Sequence, residues 1–149
     1  MRCEQRDDGG SALLLVPVGI LIVVLLGSLV VDSAVVFLAE REAESAASAA
    51  ANDLAALALD EEVLRTEGRY VISDDRLDTL VGAVEDTVIE RLSAAFVDGS
   101  VVVAIRVIGP TQLEVRVSGE ARRVVGPFGW ATSSPEVSAV AVGTVTITG

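Results

Sequence analysis

The chain has 149 residues, enough for one small domain beyond a single anchor, and its apolar half is mostly Ala, Val and Leu, with only 3% aromatics. That composition favours slender helices and thin sheets over a large aromatic-lined pocket. A net charge of −11, with eleven basic residues that are all scattered arginines, opposes binding to nucleic acid, whose phosphates need clustered cations. With no His there can be no His-based triad or His-ligated metal, and Cys3 is the one cysteine, so no disulfide forms within the chain.

Residues 1–10, MRCEQRDDGG, read as a short polar leader that Gly9 and Gly10 separate from the apolar run behind them. Ser11 to Val31 then contains no ionisable side chain. As a helix it reaches roughly 31 Å, about the thickness of a bilayer's hydrocarbon core, so residues 11–31 are predicted to be a transmembrane helix. A buried core helix would carry a polar stripe every three or four residues, and every face of this one is apolar. A cleaved secretory signal would have a shorter apolar region ending at a small-residue site, whereas this run continues without a turn into VDSAVVFLAEREAE. Arg2 and Arg6 precede the span and only Arg41 follows closely. That bias predicts a single-pass protein of the cell membrane, with a cytoplasmic leader and an extracytoplasmic domain over residues 32–149.

Within the span, Pro17 lies near the start, and Gly19, Gly27 and Ser28 are small enough to admit another helix; Pro17 reads equally as a kink. Asp32 either marks the outer interface or faces a partner in an assembly. Beyond it no Pro or Gly occurs before Gly68, and the Ala-, Glu- and Leu-rich sequence predicts a continuous rod to about Thr66. Ala43, Ala47, Ala50, Leu54, Leu57 and Leu64 trace a seam on that rod, broken by Glu61, whose small side chains allow close backbone approach, either to another subunit's helix or to the chain's own sheet. Ser73, Asp74 and Asp75 cap a second, amphipathic helix carrying Leu77, Leu80, Val81, Val84, Val88, Leu92, Ala95 and Phe96 on one face. The acidic trio Asp74, Asp75 and Asp78 reads as helix capping rather than a cation site, for want of a Gly-turned ligand loop.

From Val101 the period changes to two. VVVAIRVI reads as an apolar strand, Gly109-Pro110 as a turn, QLEVRVS as a strand with one buried face, and EVSAVAVGTVTITG as the last strand. ARRVV either continues past a bulge at Gly119 or forms a short edge strand. Between lies a loop with Phe128 and Trp130, a contact anchor or a cover for the thin core. The whole is predicted to be α+β, with a sheet of three or four antiparallel strands packed on the helices. No phosphate-binding glycine loop, Cys/His cluster or nucleophile elbow is present, so neither enzyme activity nor a cofactor is expected.

The stretch GGSALLLVPVGILIVVLLGSLVVDSAVVFLAEREAESAASAAANDLAALAL resembles the N-terminal region of the TadE/TadG-like Flp (Tad) pilus-assembly proteins. The matching features are Pro17 in the span, the Val31-Asp32 step at its outer end, and the Ala-rich segment AESAASAAANDLAALA. The resemblance implies a pilin-like membrane protein that assembles by helix packing with other pilin-like subunits or secretion machinery, or with itself. Pro17, Asp32, Ala43, Ala47, Ala50, Leu54 and Leu57 would be the packing positions. It also implies a leader-cleavage site between Gly10 and Ser11. Cleaved relatives carry Glu at the fifth position after the Gly, where this chain has Leu15, so the leader is expected to be retained. The competing reading is a solitary membrane-anchored envelope module that binds a ligand through its sheet or the Trp130 loop.

Overall fold

The computed structural model describes residues 9–123 and 134–145, and side chains from Leu15 onward. Three helices, α1 (Gly9–Leu57), α2 (Glu61–Glu67) and α3 (Asp74–Leu92), precede three strands, β1 (Val102–Gly109), β2 (Gln112–Glu120) and β3 (Glu136–Thr144). The strands form an antiparallel meander in the order β1-β2-β3, and α1 and α3 lie together on one face of it. The chain is α+β, as its change of hydrophobic period predicts.

α1 spans 49 residues, about 74 Å, and carries Pro17 without interruption. It ends at Leu57, short of the expected Thr66. The reason is Asp60, whose carboxylate accepts hydrogen bonds from the backbone N–H groups of Glu62 and Val63 at 2.9 and 3.1 Å and so starts a new helix. The Asp60 N–H itself donates to the Val71 carbonyl, and Leu59 bridges Ile72, pinning the break to the next segment. α2 stops at Gly68, whose φ of +66° favours glycine. Ser73 occupies the N-cap position of α3 as expected, but its side chain makes no capping hydrogen bond; Asp74 and Asp75 lie in the first turn, where negative charge favours the helix N-terminus.

Of the α3 face, Leu77, Val88, Leu92 and the following Phe96 are buried, and Leu80, Val81, Val84 and Ala95 pack against the same core. On the sheet, Val103, Ile105 and Val107 of β1 register with Val117, Val115 and Leu113 of β2, which register in turn with Ala139, Ala141 and Gly143 of β3. Those residues form the inner face. Val102, Ala104, Arg106, Arg116, Val140 and Val142 are exposed on the outer one. β1 is therefore an edge strand covered on one side, its apolar run notwithstanding. β2 passes Gly119 without a bulge, pairing it with Val137; the one irregularity falls between Val107 and Gly109. Gly119 is required for a different reason, since a Cβ there would lie 2.8 Å from Phe96 Cδ1.

Helix and sheet approach closely at Gly143. A Cβ at that position would sit 2.1 Å from the Ala51 carbonyl oxygen and 3.2 Å from Ala55 Cβ, so α1 rests almost on the backbone of β3. Alanines at 39, 43, 46, 47, 50, 51, 55 and 58, all buried, are what make that approach possible. Two arginines fix α3 antiparallel to α1: Arg76 Nη1 donates to the Leu59 carbonyl at 2.8 Å and Arg91 Nη2 to Ser45 Oγ at 3.0 Å. Ile72 N–H donates to the Pro110 carbonyl at 2.8 Å, placing the β1–β2 turn at the Leu59 end. The opposite ends of the strands, at Val102, Glu120 and Glu136, consequently point back towards the apolar half of α1.

Candidate functional site

α1 is divided by what touches it. From Leu15 to Val31 no residue is buried, and Leu15, Val23 and Val30 keep 66%, 70% and 68% of their surface. This is the one helix, among the described residues, long and apolar enough to cross a membrane. Two of its hydroxyls are satisfied within the helix: Ser28 donates to the Leu25 carbonyl and Ser33 to the Leu29 carbonyl, each at 2.8 Å. Internal pairing of this kind suits a medium that offers no hydrogen bonds.

Pro17 lies on the bare segment and Asp32, half-buried, just past it. Gly10 and Ser11 fall in the first turns of the α1 backbone, while their side chains, together with Phe128 and Trp130, lie outside the described residues. The seam is placed differently from the intermolecular expectation. Ala43, Ala47, Ala50 and Leu54 are 0–5% exposed because the chain's own sheet and α3 already cover them. They lie in the domain core, the placement that the own-sheet reading of the seam expects. Leu57 remains outside, 58% exposed at the C-terminal end of α1, and Leu64 falls on α2, where no residue is buried.

Leu57 borders a shallow groove of about 190 Å³ between α1 and α3, also lined by Ala46, Asp53, Val84, Thr87 and Arg91. Its floor is apolar, with one charge from each helix at the rim. Among the described residues no group of three or more His, Cys, Asp or Glu could hold a metal ion, and no polar or charged residue is buried. The acidic residues Asp74, Asp75 and Asp78 are exposed on α3. Sequence reasoning found the seam but missed Ala39, Ala46, Ala51, Ala55 and Ala58, which widen it into the band that covers the sheet. The signal for them was Gly143, the position where small residues on the helix meet a missing side chain on the strand. No family model, curated protein or solved structure matches the chain.

Proposed function

We propose that the chain is a membrane-anchored, pilin-like assembly component of a Tad/Flp type IVb pilus or a related secretion apparatus, with its leader in the cytoplasm and its domain outside. One observation carries the reading: a single unbroken helix is bare and apolar over its first half and is the central strut of the domain over its second. A subunit built this way transmits position in the membrane directly to the domain, since no flexible joint intervenes between Val31 and Ala39. With the alanine seam occupied internally, the surfaces left for neighbours are the bare half of α1 and the groove at Leu57. The arginine bias across the span supports the orientation.

A photo-crosslinking residue in place of Val24, introduced in cells, tests the reading. Adducts with a second copy or with other single-span pilin-like subunits are expected, and cells lacking the chain should lose pilus assembly or secretion. Adducts to lipid alone, with assembly intact, would leave the solitary envelope module as the better account. Orientation is read separately with Ser138→Cys in a Cys3→Ser background, because Ser138 is exposed on the outer face of the sheet. Labelling by a membrane-impermeant thiol reagent in intact cells is expected; labelling only after lysis would reverse the topology.

A further inference from the structure

The bare apolar surface of α1 does not stop where the charge-free run stops. Past Asp32 come Ser33, Ala34, Val35, Val36, Phe37 and Leu38, without a charge among them; Val36 packs against the domain core, while Phe37 and Leu38 are 63% and 57% exposed. The first fully covered residue is Ala39, and Glu40 and Arg41 follow at once. From Ser11 to Leu38 the helix axis advances about 42 Å, which matches a bilayer of roughly 40–45 Å with its headgroup layers included, not the 30 Å hydrocarbon core alone. A stalk holding the domain clear of the membrane would be polar in this interval. Here its one hydroxyl, that of Ser33, is turned inward to the helix backbone.

We propose that residues 33–38 of α1 are seated in the outer headgroup layer of the membrane that the span crosses, so that the domain stands directly on the bilayer with no free stalk. The inference rests on the membrane reading of residues 11–31. Phe37 and Leu38 enter the layer as its apolar contacts, continuous with the lipid-facing surface below them. Arg41, exposed one turn beyond Phe37, reaches the level of the lipid phosphates. The end of the domain that faces the bilayer carries Asp98, Glu120 and Glu136 beside Arg122 and Arg123, and Arg122 is already paired with Asp98 at 2.8 Å. That rim gives no net attraction to anionic lipid, so the contact is interfacial and apolar, and zwitterionic lipid suffices.

The test uses the full chain in a Cys3→Ser background, reconstituted in phosphatidylcholine vesicles, with a fluorophore on single cysteines at Val24, Phe37, Leu38 and Glu44. Quenching by a water-soluble agent is compared with quenching by lipids carrying a nitroxide near the headgroup. Expected is loss of aqueous quenching and strong lipid quenching at Phe37 and Leu38, with Glu44 quenched from water. Aqueous quenching at Phe37 and Leu38 equal to that at Glu44, while Val24 stays protected, overturns the seated domain and leaves the anchor standing. Aqueous quenching at Val24 as well overturns both. Doping the vesicles with phosphatidylserine should leave the pattern unchanged; deeper burial on doping would make the contact electrostatic and refute the apolar one.

Discussion

The two halves of α1 both present apolar side chains to what surrounds them, yet those side chains are of different kinds. The bare half, Leu15 to Val31, is mostly Leu, Ile and Val; the covered half, Ala39 to Leu57, meets the protein almost wholly through alanine. Charge separates the exposed faces, but on the faces that meet lipid or protein hydrophobicity does not separate the two halves, because both media accept apolar side chains. Size does. Lipid places no limit on side-chain volume, whereas the sheet approaches until Gly143 lies under the Ala51 carbonyl, a separation that larger residues forbid.

The sharpest way to break this comparison is to restore side-chain volume at this close approach. Gly143→Ala places a Cβ 2.1 Å from a backbone oxygen that cannot rotate away, so helix and strand must separate. A loss of about 3 kcal/mol of domain stability is expected, the upper end of overpacking costs. Denaturant unfolding of the full chain in detergent micelles checks it; a midpoint equal to the parent's would mean that the helix does not rest on β3. Ala47→Leu in the covered half should cost about 2 kcal/mol by the same mechanism. Leu21→Ala in the bare half, 57% exposed before substitution, should leave the midpoint where it was. If the two substitutions produced equal shifts, the division of the helix would fail.

A smaller effect tests the break between α1 and α2. Asp60→Ala removes the acceptor of two backbone N–H groups and should cost about 1 kcal/mol, or roughly 4–8 °C for a domain of this size. An unchanged midpoint would mean that the bridge of Leu59 with Ile72 ends α1 without help from the cap.

Local signals in the sequence were readable where the partner was local or periodic. The apolar run, the 3.6-residue face of Leu77, Val88 and Leu92, and the alternation of Leu113, Val115 and Val117 each name their own burial. The end of α1 was legible in principle, for Asp60 with Glu61 and Glu62 behind it is an N-cap and acidic first turn, but good helix formers on both sides hid it. The owner of the alanine seam was not legible. It depends on Gly143, far along the chain, and the choice between another subunit and the chain's own strand is made by tertiary contact that no window of sequence contains. The edge position of β1 has the same character, since VVAIRVIG reads alike whether one face or both are covered.

Leu57 offers the finest test because it belongs to the seam by spacing and to the surface by position. It sits three residues after Leu54, yet Leu54 is fully buried and Leu57 is 58% exposed, although Ala55 and Ala58 on either side of it are core residues. Leu57→Ser should therefore change domain stability by no more than about 0.5 kcal/mol, whereas Leu54→Ala, which opens a cavity, should cost about 3 kcal/mol. If Leu57 serves assembly through the groove it borders with Val84, the same Leu57→Ser change should weaken crosslinking between copies in membranes without moving the unfolding midpoint. A shift comparable to that of Leu54→Ala would return Leu57 to the core. Unaltered crosslinking with an unaltered midpoint would leave the bare half of α1 as the assembly surface, because it is the remaining part of the helix that the domain does not cover.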